Sequence, residues 1–406
     1  MGIDADIVVI GGGPCGSFSA LAAARLGARV VVCEEHSEIG APSHCTGHVS
    51  ISGLERLRLS LPREIIENEI RGAVFYSPSC YQFSMEFVSP VTYVINRKLF
   101  DKHLSNLAVR TGVKYLLETE VKSILKHSGV VSGVTVQRKG GFEESSSASI
   151  VIDAEGFPPR LFKRMGVKTA DRPLIVSGVQ ADVDRVVDVD EDFVEVYVGR
   201  RYAPGFFAWI VPRRDGSAKV GLATSLGNPR EYLQRFMREH PLASKKLGRA
   251  QITNVSFHPI PLSGPIPQTY SNGLLVVGDA ASHVKPTTGG GVVLGLLCSR
   301  IAGEVAYAAL RRGDLSEASL SQYQNSWKQM VGFDLAVMRQ ARRLLNQLPD
   351  DRLDRIIGLC RERGIDRIIE EVGDLDFQGR MLIRAIRHPT SLVVLIYFLF
   401  SSLFSK

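Results

Sequence analysis

Gly11, Gly13 and Gly16 stand in the spacing Gly-x-Gly-x-x-Gly, and Glu34 follows Gly16 by 18 residues. The first glycine of such a set allows a tight turn, the second lets the backbone approach a pyrophosphate, and the third lets a helix pack on a strand. Pro14 and Cys15 fall in the opening helical turn, whose free N–H groups attract phosphate. Glu34 is placed to accept hydrogen bonds from a ribose hydroxyl, with the adjacent Glu35 as a competitor for that role. A second glycine set, Gly289-Gly290-Gly291, follows Gly278-Asp279 about 260 residues later. Cys45 lies between Gly40, Pro42 and Gly47, which indicate a shaped loop. A thiol there is either a proton donor or polarizable wall for a reacting group, or inert packing. Phe206, Phe207 and Trp209, ahead of Pro212, make either a flat apolar wall for a ligand or ordinary sheet packing, and alternation puts Phe207 and Trp209 on one face. His44, His48 and His283 are loop histidines of lower rank.

These residues need elements to hold them. Residues 7–10 are an apolar β-branched run ahead of the first glycines, 14–26 are alanine-rich and helical, and 29–33 supply a second strand, which is the size of a βαβ unit. Residues 130–136, 149–153 and 193–198 read as further strands. Residues 274–277 form a short strand before the second glycine set, which opens a helix running to about residue 312. Residues 320–348 and 350–387 have helical spacing with few breakers.

A chain of 406 residues with 45% hydrophobic residues has room for two or three domains with sizeable cores. Six cysteines without a Cys-x-x-Cys pair argue against a disulfide framework and against a structural metal site, so a reducing, cytoplasmic setting is expected. Residues 1–6 lack a basic region and cleavage site, so export is not expected. The net charge is +7, yet residues 200–299 hold 12 Lys/Arg against 4 Asp/Glu. No aromatic-interleaved basic array accompanies them, and nucleic acid is not an expected partner. Residues 392–400 are nine consecutive apolar residues preceded by Arg384 and Arg387. A membrane span needs about 17–25. An interfacial anchor or a lipid-tunnel wall therefore fits this segment, with a buried terminal helix as the plainer reading.

Residues 273–281 with Pro286 and Gly289-Gly290-Gly291 resemble the second flavin motif of FAD-dependent reductases and hydroxylases. By that resemblance Asp279 bonds the ribitol chain, and the helix opening at Gly290 and Gly291 points its N-terminus at the flavin, where its partial positive charge stabilises the anionic reduced form. Residues 94–101 resemble the segment whose arginine, here Arg97, reaches FAD, and Val121 is a further candidate contact. Residues 151–156 resemble the hydroxylase Asp-Gly motif, but Glu155 stands where Asp is usual and Pro159 where Ser is usual, which argues against an aromatic hydroxylase.

Three segments narrow the family. Residues 39–47, with Cys45-Thr46-Gly47, residues 203–212, with Pro204-Gly205-Phe206-Phe207-Ala208-Trp209 leading to Pro212, and residues 285–291 resemble in order the motifs of geranylgeranyl reductases. Ile210-Val211 replaces an aromatic pair often found before the final proline. The resemblance implies an α/β fold: a glutathione-reductase-type Rossmann FAD-binding domain (1–75, 94–170 and 265–312), an inserted antiparallel-sheet catalytic domain like that of p-hydroxybenzoate hydroxylase (76–93 and 171–264), and a helical C-terminal region (313–406). It also implies FAD as cofactor, Cys45 and Gly290 at the reacting centre, and saturation of C=C bonds in geranylgeranyl chains of archaeal-type ether glycerophospholipids. The implied partners are that lipid, an external electron donor (ferredoxin, NAD(P)H or another reduced carrier) and a membrane surface to which the protein associates peripherally. A flavin monooxygenase, a reductase of a quinone or chlorophyll prenyl side chain, and a non-enzymatic lipid-binding protein are the alternatives.

Overall fold

The computed structural model describes residues 5–164 and 174–403. Their contacts divide the chain into two units: Met1–Ser43, Arg97–Arg172 and Ser263–Leu335, and His44–Asn96, Pro173–Leu262 and Ala336–Lys406.

The first unit is built on a six-stranded sheet in the order Tyr270–Ser271, Leu274–Val276, Ile150–Asp153, Ile7–Ile10, Val30–Cys33, Lys114–Leu116. All neighbours are parallel except the first pair. The four central strands are almost purely Val, Ile and Leu and wholly buried, as a parallel sheet covered on both faces requires. Helix Pro14–Arg25, started by proline in its first turn, packs against helix Val292–Arg312. Strands Thr119–His127, Val130–Arg138 and Glu143–Ser147 form a separate antiparallel sheet whose Val121, Val134 and Val136 join Val8, Ile10 and Val151 in one core.

The second unit carries a seven-stranded sheet in the order Gln251–Pro261, Ile175–Asp184, Ala218–Thr224, Phe207–Pro212, Phe193–Val198, Gly72–Tyr76, Gln82–Glu86. It is antiparallel apart from the parallel pairing of Phe193–Val198 with Gly72–Tyr76. Residues alternate between its faces. Val220, Leu222, Ile210, Ala181 and Tyr197 lie under helices Pro229–Glu239 and Ala243–Leu247. The register Val211–Lys219–Asp182 and Trp209–Gly221–Gln180 places these residues on the other face.

The contact-based units differ from the domain limits expected from sequence. Residues 44–75 and 94–96 fall in the second unit, because strands His48–Ser50, Ile66–Ile70 and Thr92–Ile95 form their own small sheet and bond to the large one, Asn68 Nδ2 donating to the Pro212 carbonyl at 3.1 Å. Residues 313–335 fall in the first, because helix Glu317–Trp327 is bonded to its sheet: the Tyr323 hydroxyl donates to Val276 O at 2.9 Å and Trp327 Nε1 to Thr269 Oγ1 at 3.0 Å. The expected limit at residues 170 and 171 lies outside the described residues.

The remaining C-terminal helices are part of the second unit. Asp354 accepts from Ser77 Oγ (2.5 Å), Ser79 N (2.8 Å) and Ser79 Oγ (2.7 Å), and Asp374 pairs with Arg56 at 2.6 Å. Helix Pro389–Leu403 keeps Leu392, Val393, Ile396, Leu399 and Phe400 exposed. Among the described residues one helix, Val292–Arg312, is long and apolar enough to cross a membrane, and most of it is buried; Gln378–Ile386 and Pro389–Ser402 qualify only as a pair bent by 115°.

Candidate active site

The glycine cradle lies at the C-terminal end of strand Ile7–Ile10, entirely within the first unit. A Cβ added at Gly16 would sit 1.9 Å from the Gly11 carbonyl oxygen, so the helix packs there only because Gly16 has no side chain. At Gly13 an added Cβ would meet nothing within 4 Å, so the second glycine faces open space, as a pyrophosphate site needs. The Glu34 carboxylate is buried at the end of strand Val30–Cys33, where it accepts from Gly12 N at 2.7 Å and His36 N at 3.0 Å; Glu35 is exposed. Cys15 wedges the two glycine sets together: a Cβ at Gly278 or Gly295 would lie 2.9 or 2.6 Å from its sulfur. Burial pushes that thiol up to about 12, which leaves it a packing group.

The second set completes the cradle. Helix Val292–Arg312 starts at Gly291, which has no side chain to cap it, so its positive N-terminal end is presented by glycine, and an added Cβ at Gly291 would lie 3.0 Å from Asp279 Oδ1. Gly290 accepts at its carbonyl from Lys285 N at 3.0 Å. Arg97 opens helix Arg97–Val109 and is held by both oxygens of Asp101 at 3.1 Å. Val121 turns its side chain into the core. An open glycine turn, a buried carboxylate one strand away and an uncapped glycine-led helix fit an extended dinucleotide.

The second unit assembles the other candidates. Gly47, with φ +76°, closes the Cys45 loop so tightly that an added Cβ would lie 2.1 Å from Ile95 O. Thr46 Oγ1 donates to Gln180 Oε1 at 2.7 Å, and the Thr46 carbonyl accepts from Lys219 Nζ at 2.9 Å. The His44 ring stacks on His258 at 5.7 Å. Gln180 and Lys219 share their sheet face with Trp209, so the loop and the aromatic wall are brought to one surface. Gly221, opposite Trp209, makes room for the indole: a Cβ there would sit 2.5 Å from its ring. Phe206 and Phe207 stack at 4.1 Å, Phe207 meets Trp209 edge-on at 5.9 Å, and the Arg342 guanidinium lies 4.6 Å over Phe206. Pro212 ends this strand in the core and serves as a backbone acceptor for Asn68.

Sequence reasoning missed Gln180, Lys219 and Glu67. The one available signal was a lysine inside the apolar run 218–224. Burial holds the Lys219 ammonium below the usual lysine range, opposed by Glu67 at 3.0 Å. Of the loop histidines, His48 instead opens a strand and bonds Thr92 Oγ1 at 2.6 Å, and His283 is wholly buried against Trp327.

The fold and cradle define an FAD-dependent oxidoreductase. Residues 6–157 match the FAD dependent oxidoreductase family, and residues 175–255 match the geranylgeranyl reductase catalytic domain. The chain is 34% identical to digeranylgeranylglycerophospholipid reductase 2 of Methanopyrus kandleri over 90% of its own length and 92% of that protein's. It is 35% identical to digeranylgeranylglycerophospholipid reductase of Methanocaldococcus jannaschii, over 89% and 92%. A solved structure of a geranylgeranyl bacteriochlorophyll reductase-like protein from Thermoplasma acidophilum superposes with a TM-score of 0.86 at 28% identity, covering 97% of this chain and 99% of that one. The chain belongs to the geranylgeranyl reductase family, with FAD as its cofactor.

Proposed function

We propose that this enzyme saturates C=C bonds in the geranylgeranyl chains of archaeal-type ether glycerophospholipids, with Cys45 as the proton donor. The observation that carries the reading is the anchoring of the Cys45 loop, through Gln180 and Lys219, on the sheet face that bears Trp209. Bound FAD, reduced by a ferredoxin, a nicotinamide or another carrier, supplies hydride to one alkene carbon. The Cys45 S–H bond breaks as a C–H bond forms at the other carbon, and the thiolate regains its proton from water. Phe207 and Trp209 give the chain a flat apolar wall along which successive double bonds slide. The Gly11–Gly16 turn, Glu34 and the Gly290–Gly291 helix start hold the cofactor.

A phospholipid substrate places the protein at a membrane surface. Leu392, Ile396, Leu399 and Phe400 recur at helical spacing on one exposed stripe, with Arg384 and Arg387 preceding it, which suits an interfacial helix on anionic lipid.

Single-turnover reduction of a geranylgeranyl lipid, followed by mass spectrometry, tests the acid role. Cys45→Ala should keep FAD and slow the reaction by about 10²- to 10⁴-fold. An unchanged rate would leave Cys45 as packing.

A further inference from the structure

Strand Ala218–Thr224 is buried along its whole length, yet it contains Lys219, whose side chain is only 6% exposed. An ammonium in such a place is costly unless it is paired and hydrogen-bonded. Lys219 Nζ meets both needs, donating to Glu67 Oε2 at 3.0 Å and to the Thr46 carbonyl at 2.9 Å. Glu67 is itself fixed by Arg213 Nε at 3.2 Å, an ion-pair approach, and by Asn96 Nδ2 at 3.2 Å. Arg213 pairs in turn with Asp182, which accepts from Asn254 Nδ2 at 3.2 Å. Two cations and two carboxylates alternate, so the cluster is neutral overall and leaves Lys219 held at a defined position.

The Thr46 carbonyl belongs to the same peptide plane as the Gly47 N–H, and in a trans peptide the two point in opposite directions. Lys219 grips the oxygen end. The Gly47 N–H, at the other end, donates to Cys45 Sγ at 3.4 Å. Drawing electron density toward a cation at the carbonyl makes the N–H a stronger donor, since hydrogen bonds in series polarise one another. The Gln180 bond to Thr46 Oγ1 and the left-handed conformation of Gly47 stop the peptide from rotating away.

We propose that Lys219 is a positioning residue that acts through the Thr46–Gly47 peptide to orient Cys45 Sγ and to stabilise the thiolate left when its proton passes to the alkene. The proposal rests on the reading of Cys45 as proton donor. It adds no reactant: the S–H bond breaks, the C–H bond forms, and the Lys219 charge stays where it is throughout.

The test uses the full-length, FAD-loaded enzyme. Lys219→Met removes the charge and keeps the stem, Lys219→Arg restores a cation, and Lys219→Met with Glu67→Gln removes the carboxylate that the single change would leave underpaired. Flavin occupancy and melting temperature report that each variant folds. Lys219→Met should lower the rate of Cys45 alkylation by iodoacetamide, followed peptide by peptide, about tenfold, as loss of a charge-assisted hydrogen bond would. It should speed hydrogen exchange in residues 44–48 and lower kcat with little change in KM. Lys219→Arg should recover most of each loss, and the double variant should behave as Lys219→Met does. In a Cys45→Ala background Lys219→Met should cost nothing further in single turnover, because the two act through one group. Parental alkylation and exchange in Lys219→Met would overturn the proposal even where Cys45→Ala is slow. An unimpaired Cys45→Ala enzyme would instead overturn the acid reading, while alkylation and exchange still decide whether Lys219 holds the loop.

Discussion

The two units differ in how they treat the polar groups buried around their candidate sites. In the first, the deepest titratable groups are kept neutral, with burial lowering His283 to about 3, lifting Cys15 to about 12 and raising Asp153 well above the usual carboxylate range, while Arg97 and Asp101 form a buried ion pair. Its ligand work falls mostly to backbone, to glycines that clear a space and to a glycine-led helix end, with Glu34 as a side chain assigned to the cofactor. In the second, Lys219, Glu67, Arg213 and Asp182 remain within ion-pair distance under the aromatic face, and Lys246 pairs with Glu195 beneath the opposite face. Binding a large, invariant cofactor takes only a fixed backbone shape. Holding one thiol against a sliding apolar chain takes side chains that brace a loop from several strands.

The sharpest break of that contrast is Gly13→Val. Gly13 faces open space, so the variant should fold with a melting temperature near the parent's before flavin is added, yet lose FAD completely, as visible absorbance after purification would show. Gly16→Ala, with 1.9 Å between its Cβ and Gly11 O, should instead damage the fold itself. A Gly13→Val protein that stays yellow would remove the cofactor's claim on that space.

The difference also explains what could be read in advance. The first unit was legible because its site is local: three glycines within six residues, a carboxylate at the end of the next strand, and a second glycine set opening one helix. Strands 7–10, 30–33 and 150–153 followed from apolar β-branched runs, and strand 193–198 of the second unit followed from alternation. The second unit was legible only in its contiguous pieces, Cys45-Thr46-Gly47 and Phe207 to Pro212. Nothing in the spacing of Thr46, Glu67, Gln180, Arg213 and Lys219 says that they meet, because strand pairing over more than 100 residues sets their contact. For the same reason residues 44–75 cluster with the second unit rather than with the glycine cradle: their small sheet is closed by Thr92–Ile95, and its side-chain bonds reach strands beyond residue 200.

A second, smaller effect concerns the exposed apolar stripe of helix Pro389–Leu403, which belongs to the second unit alone. Ile396 and Phe400 are 57% and 60% exposed, so Ile396→Asp with Phe400→Asp should leave folding and FAD content intact. Each side chain is worth about 1.5–3 kcal/mol when buried in an apolar phase, so losing both should weaken binding to anionic liposomes at least a hundredfold in a flotation assay. Equal flotation of parent and variant would show that this stripe does not meet lipid.

The smallest effect tests whether burial keeps His283 of the first unit neutral. His283 is fully buried, packed 5.0 Å from the Trp327 ring, and titrates at about 3 in the folded protein against an ordinary 6.5. Between those values the unfolded chain binds a proton that the folded chain does not, so stability from this residue is complete above pH 6.5 and is lost as pH falls toward 3. The slope approaches about 1.4 kcal/mol per pH unit, so from pH 7 to pH 5 the loss is roughly 2 kcal/mol. Other groups add their own slopes: His240 in the second unit, at about 4, acts in the same direction, while Asp153, protonated more readily when folded, acts in the opposite one. A difference measurement isolates His283. Denaturant unfolding of the parent and His283→Leu at pH 7 and pH 5 should show the variant's stability relative to the parent rising by roughly 2 kcal/mol at the lower pH, because leucine has no proton to bind in either state. A constant difference across that range would mean that the folded protein protonates His283 without penalty, and burial would not be what keeps this histidine neutral.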